Sequence, residues 1–173
     1  MMIKRILVPI DFSPNSFRAL DYAIEVGKPF KARLSVLYVV EPIYYAVPDF
    51  TGSPAMGELL TEQMGTARAQ LARLERQYAK RRVKLQALLE TGTAYEAIVE
   101  TAKQIKADLI AMATHGRTGM SHLLLGSVAE RVVRTAPCPV LTLRPGQRLP
   151  RAASHSRTRA KPRTPSRATA TRR

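Results

Sequence analysis

The segment His115-Gly116-Arg117-Thr118-Gly119-Met120-Ser121-His122-Leu123-Leu124-Leu125-Gly126-Ser127 has the residue types of an anion site built from backbone. It follows an apolar run, Ala107–Ala113, that reads as a buried strand. It precedes Val128–Arg134, which reads as a helix. A strand that leads through glycines to a helix start delivers unpaired N–H groups and the positive end of a helix dipole to one place. Glycine lets the chain take positive φ and lets a phosphate approach the backbone closely. Ser127 can cap the helix, bind a phosphate oxygen, or do both. Arg117, inside the loop, can reach a phosphate.

Other groups emerge at the same place. In an open α/β sheet, ligands bind beyond the carboxyl ends of the strands, near the switch in strand order. Pro9-Ile10-Asp11 ends the first apolar run and Val39 lies near the end of the second. Met112-Ala113 ends the run before the glycine loop. A carboxylate, free backbone groups and a helix start fit a nucleotide better than a lone phosphate. Asp11 can accept from ribose hydroxyls or hold Mg²⁺ through water. The Val39 backbone can pair with an adenine edge, and the amides of Gly116 and Gly126–Val128 can hold phosphates. The plainer reading is a tight loop that binds nothing, with Asp11 only stabilising the next helix start.

No catalytic set accompanies these residues. His115, His122 and His155 have no cysteine or carboxylate at ligand spacing, so no metal site is expected. No Ser/His/Asp or Cys/His arrangement stands out, and any ATP hydrolysis is expected to be slow or incidental. The single cysteine, Cys138, lies between Pro137 and Pro139 before an apolar run. It reads as a buried structural thiol.

The elements that position these groups alternate. Lys4–Ile10 reads as a strand. Ser13 caps a helix that has Pro14 at its first position and Phe17, Leu20, Ala23 and Ile24 inside. Gly27 and Pro29 end it. Ala32–Val40 is a nearly continuous apolar strand, as a parallel sheet covered on both sides requires. After a loop over Glu41–Pro54, a long helix carries Leu60, Met64, Ala67, Leu71, Leu74 and Tyr78 on one face. Arg68, Arg73, Glu75, Arg76 and Lys80 form its other face. Val83–Leu89 is a strand. Tyr95, Ile98, Val99, Ala102 and Ile105 mark a helix, Ala107–Ala113 a strand, Ser127 to Thr135 a helix and Pro139–Arg144 the last strand. The order predicts a doubly wound, parallel five-stranded α/β sheet with helices on both faces.

The chain has 173 residues, 45% of them hydrophobic, enough for one domain with a core. No apolar stretch is long enough to span a bilayer, and the basic start lacks a signal-peptide core, so a cytoplasmic protein is expected. The net charge of +15 is uneven, since residues 146–173 hold nine basic residues and no acid. That segment is rich in Arg, Pro, Ser, Thr and Ala, and reads as a disordered basic tail after a domain over residues 1–145. The tail could bind polyanions with strong salt dependence and weak sequence preference, or serve only to solubilise.

The chain resembles the universal stress proteins of the nucleotide-binding kind. The resemblance rests on Leu7-Val8-Pro9-Ile10-Asp11-Phe12-Ser13, on Leu37-Tyr38-Val39-Val40, and on Thr114-His115-Gly116-Arg117-Thr118-Gly119 through Leu125-Gly126-Ser127-Val128-Ala129-Glu130. Pro137-Cys138-Pro139-Val140-Leu141 completes it, over roughly Ile3 to Arg144. It implies a Rossmann-like, ATP-binding domain acting in stress response or signalling through its bound state. It also implies a homodimer that meets across the last strand, residues 139–144. The family pattern is Gly-x-x-Gly, nine residues, then Gly-Ser/Thr. Gly116 matches its second glycine and Gly126-Ser127 its end, but Ala113 stands where the first glycine belongs. Alanine adds a methyl and disfavours positive φ. A position needing only close approach would tolerate it. One needing positive φ would leave an interaction protein without nucleotide.

Overall fold

The computed structural model describes residues 2–42, 54–114 and 125–144, with the backbone alone at 54–56. The loop expected over Glu41–Pro54 lies largely outside these residues. So do His115, Gly116, Arg117, Gly119 and His122, and the tail 146–173.

The elements run β1 (Arg5–Pro9), α1 (Pro14–Gly27), a 3₁₀ turn (Lys28–Phe30), β2 (Arg33–Val40) and α2 (Pro54–Lys80). They continue with β3 (Leu85–Thr91), α3 (Ala94–Gln104), β4 (Leu109–Ala113), α4 (Ser127–Thr135) and β5 (Val140–Leu143). The five strands form one parallel sheet in the order β3-β2-β1-β4-β5. The order reverses between β1 and β4, so connections leave the sheet on both sides there. Helices α1 and α2 cover one face, over Ile6, Val8, Leu20, Val36, Leu71 and Leu74. Helices α3 and α4 cover the other, over Leu7, Leu37, Ile98, Ile110, Ala129 and Val132. Alternate residues of β1 therefore feed opposite cores, as the two-residue period of a strand demands.

The start of α1 follows the sequence closely. The Ser13 hydroxyl accepts from the Ser16 N–H at 3.2 Å, and Pro14 is the first helical residue. Leu20 and Ala23 are fully buried, whereas Phe17 and Ile24 only flank the core. The start of α4 corrects the sequence reading. Gly126 is its N-cap, with no side-chain cap, and Ser127 is already helical and exposed. The capping side chain belongs to the residue before the first helical one, whereas Ser127 is that first helical residue, so Ser127 does not cap. Strand β3 starts two residues later than expected, because its half-buried pattern carries little alternation to fix its ends.

Glu75 also departs from its expected place on the solvent face. Its carboxylate accepts the Ala87 N–H of β3 at 2.8 Å. That N–H belongs to an edge strand, and covering it blunts the edge.

At the amino edge of the sheet, Asp108 joins β4 to β1. One carboxylate oxygen accepts the N–H groups of Lys4 and Arg5, both at 2.9 Å, and the other accepts the Arg5 guanidinium at 3.3 Å. The Lys4 N–H first, then the Arg5 groups, hold the carboxyl below its ordinary value against a smaller effect of burial. A depressed folded-state value contributes stability that is present above the unfolded value, 3.8, and lost as pH falls through the folded one. Urea unfolding from about pH 7 to about pH 2 should show Asp108→Asn less stable than the parent at neutral pH, with the gap closing below about pH 4. A gap that stays constant across that range would contradict the assignment.

Candidate functional site

A cleft of about 390 Å³ opens at the carboxyl edge of the sheet, over the reversal in strand order. Its size falls within the ordinary range of small-molecule sites. Strand β1 delivers Pro9, Ile10 and Asp11 to it, β2 delivers Val39, and β4 delivers Met112 and Ala113. The start of α4 closes the far side with Gly126, Ser127 and Val128. These nine residues, far apart in sequence, therefore line one cavity. Gly116 and Arg117, also expected here, lie outside the described residues.

The α4 side is built to present N–H groups. The first helical hydrogen bond runs from the Glu130 N–H to the Gly126 carbonyl at 2.9 Å. The N–H groups of Ser127, Val128 and Ala129 precede it and have no helical acceptor. The Gly126 N–H donates to the Thr114 carbonyl at 2.8 Å. Thr114 in turn donates its N–H, at 2.9 Å, and its hydroxyl, at 3.1 Å, to the Leu143 carbonyl of β5. The two ends of the glycine loop are thus tied to each other and to the sheet, so the helix start is held in place.

The opposite wall carries charge. The Asp11 carboxylate accepts the Ser13 N–H at 3.0 Å, and the Asp11 N–H donates to the Ser16 hydroxyl at 3.4 Å. Burial pushes the Asp11 carboxyl up, but its hydrogen bonds with Ser13 and Ser16 outweigh that and hold it below its ordinary value. It is an ionised acceptor at neutral pH. Between them, Phe12 takes a left-handed φ of 61°, unusual for a bulky side chain. Its ring lies 4.8 Å from Tyr38 and 6.2 Å from Phe17, centroid to centroid. This packing offsets the backbone strain that turns Asp11 toward the cleft.

Sequence reasoning missed Glu41. It lines the cleft and accepts the Ala94 N–H, the first of α3, at 2.8 Å. A carboxylate at a helix start suits the dipole, but the cap comes from a distant segment, and no local spacing announces it.

Ala113 bears on the departure from the glycine pattern. It ends β4 in register with Leu143, and it is not among the residues with positive φ. The position is ordinary strand, so alanine brings a methyl group and no backbone conflict.

Cys138 sits at the other end of the molecule, half-buried where α4 turns into β5. Burial and then the Asp108 carboxylate push its thiol up, against a backbone hydrogen bond at Ile110. Among the described residues no group of three or more His, Cys, Asp or Glu could hold a metal ion. No described helix is long and apolar enough to cross a membrane.

A model of the universal stress protein family matches residues 2–144. The chain is 38% identical to universal stress protein MJ0531 of Methanocaldococcus jannaschii over 149 residues, covering 83% of each. It superposes on universal stress protein UspA from Lactobacillus plantarum with a TM-score of 0.72 at 28% identity, covering 83% of this chain and 99% of that one. It shares its fold with a universal stress protein from Archaeoglobus fulgidus solved in complex with dAMP. There the TM-score is 0.58 at 21% identity, over 82% of this chain and 98% of that one.

Proposed function

This chain belongs to the universal stress protein family, and on that premise we propose that its cleft binds ATP and that the protein acts in stress response or signalling through its bound state. The convergence of Asp11, Val39 and the α4 N–H groups on one cavity carries this reading. The Asp11 carboxylate accepts from the ribose hydroxyls. The Val39 backbone meets the adenine edge, and the N–H groups of Ser127, Val128 and Ala129 take the phosphates. Mg²⁺ enters with the phosphates and reaches Asp11 through water, since magnesium keeps most of its waters and needs few protein ligands. The relative from Archaeoglobus fulgidus in complex with dAMP supports an adenine nucleotide in a fold of this kind.

Thermal unfolding of the full chain tests the proposal. ATP at 100 times its dissociation constant should add about 2.7 kcal/mol of stability. No shift at millimolar ATP, ADP or AMP, with or without Mg²⁺, would leave an interaction protein without nucleotide.

The reading includes a homodimer through β5. Glu75 covers an N–H on the β3 edge, whereas β5 is the other edge of the sheet. The carbonyls of Pro139 and Leu143 accept from Ile110 of β4 and from Thr114 just past its end, so the alternate residues Val140 and Thr142 turn their backbone groups outward. Half-buried Val140 and Leu141 add apolar surface on that strand. Thr142→Pro removes an outward N–H while sparing the bonds to β4. Light scattering should then report a folded monomer in place of a dimer. An unchanged dimer would move the interface elsewhere.

A further inference from the structure

The edge of the sheet opposite the cleft carries an unusual repetition. Three of the four helix-to-strand turns close in the same hydrogen-bonded form. In the first, the Lys31 N–H reaches the Lys28 carbonyl at 3.2 Å and the Ala32 N–H reaches Gly27 at 3.1 Å. In the second, the Arg82 N–H reaches Ala79 at 2.9 Å and the Val83 N–H reaches Tyr78 at 3.0 Å. In the third, the Lys106 N–H reaches Lys103 at 3.0 Å and the Ala107 N–H reaches Ala102 at 2.8 Å. Each is a Schellman closure, whose penultimate residue must take a left-handed conformation and is usually glycine. Here that residue is Lys31 (φ 52°), Arg82 (φ 60°) and Lys106 (φ 51°). A long basic side chain occupies each position where glycine would be free of strain.

Complementing the helix dipoles does not require this, because Lys28, Lys80 and Lys103 already occupy the last turns. The strands add to the same surface. Arg33 begins β2 and its N–H donates to the Lys4 carbonyl at 2.8 Å. Lys84 precedes Leu85, which pairs with Leu34 beside Arg33. Lys84 and Arg33 thus stand level on neighbouring strands whose backbones lie about 4.8 Å apart, and Lys4 immediately precedes Arg5, the β1 partner of Arg33. Lys4, Lys31, Arg33, Arg82, Lys84 and Lys106 are all exposed. None of them makes an ion pair among the described residues. The nearby carboxylates Asp21, Glu100 and Asp108 are held by Arg81, Lys103 and Arg5, and Glu75 accepts the Ala87 N–H, so among the described residues none of these four is paired with the six cations.

We propose that this basic amino edge, formed by Lys4, Lys31, Arg33, Arg82, Lys84 and Lys106, is a binding surface for the phosphate backbone of a nucleic acid. The row spans about 15 Å along the edge, counting strand spacings. That length faces about four phosphates on each strand of a duplex. Exposed Phe30, between Lys28 and Lys31, offers one apolar face to a sugar or base. A membrane surface is a poorer fit, because interfacial binding needs an extended apolar helical face and none lies here. The surface is distinct from the cleft and does not depend on what the cleft binds.

The test uses the full chain and short duplex DNA of mixed sequence, read by fluorescence anisotropy across a salt series. The variant Lys31→Asn/Arg82→Asn/Lys106→Asn removes three charges and places at each site a residue that tolerates the left-handed conformation. Its melting temperature should be unchanged or higher, while its log–log salt slope should fall by about 2.7, or ~0.9 for each lost contact. A second variant, Lys4→Gln/Arg33→Gln/Lys84→Gln, alters no left-handed residue and should lower the slope by the same amount. Full chain with the nine basic residues of 146–173 changed to Gln should keep edge-dependent binding. Loss of all binding in that tail variant, or slopes unmoved in both triple variants, would overturn the proposal. So would binding to phosphatidylserine vesicles with none to duplex DNA.

Discussion

Gly126→Val should lower ATP affinity more than 100-fold while leaving the fold intact, about 2.7 kcal/mol of binding free energy or more. Gly126 is the N-cap of α4 and lines the cleft. Its φ of −58° and ψ of 148° are extended values that valine adopts without strain. The side chain would stand at the helix start, beside the N–H groups of Ser127, Val128 and Ala129 that take the phosphates in this account. An aliphatic group there excludes a phosphate and offers it no hydrogen bond. The cost to stability is confined to a poorer N-cap, about 1 kcal/mol. Calorimetric titration reads the affinity and urea unfolding the stability. Parent-like affinity in a folded variant would remove α4 from the site.

Asp11→Asn should weaken ATP by roughly 10- to 100-fold, the value of a charge-assisted hydrogen bond of about 1.5–3 kcal/mol. The amide keeps one oxygen that can accept from the Ser13 N–H, whose bond to Asp11 is 3.0 Å, so the turn into α1 survives. What is lost is the charge and one acceptor. The carboxylate is held below its ordinary value by Ser13 and Ser16 against its burial, so it meets a ligand ionised and already oriented. Adenosine should lose as much as ATP, because the contact is to ribose. A loss seen only with the triphosphate would instead mark Asp11 as acting through Mg²⁺.

The sheet was legible because its strands are nearly continuous apolar runs, which only a two-sided core explains. Leu7 and Leu37 serve one core while Val8 and Val36 serve the other, and all four are fully buried. The cap at Ser13 was legible because cap and proline act through immediate neighbours. Ser127 misled because a serine at a helix start is usually the cap, whereas here the hydrogen bond from Gly126 to Thr114 sets the cap one residue earlier. Glu41 and Glu75 were missed for a shared reason. Each accepts a backbone N–H more than ten residues away, at Ala94 and Ala87, and no periodicity encodes that pairing. The basic residues at the left-handed turns were hidden by the rule that expects glycine there. Phe12 has no sequence signal for its positive φ, which follows from its packing on Tyr38 and Phe17. In the site, the strand ends and the start of α4 could be placed from the order of elements alone. The role of Ala113 needed the backbone, which turned out to be plain strand.

Titration of the uniformly ¹⁵N-labelled full chain with ATP, followed by amide chemical shifts, reads nucleotide binding at the cleft residue by residue. Saturable shifts should be largest at Ser127, Val128 and Ala129, with Val39 and Asp11 moving at the same dissociation constant. Shifts confined to other surfaces, or a spectrum unmoved at millimolar ATP, would contradict binding at the cleft.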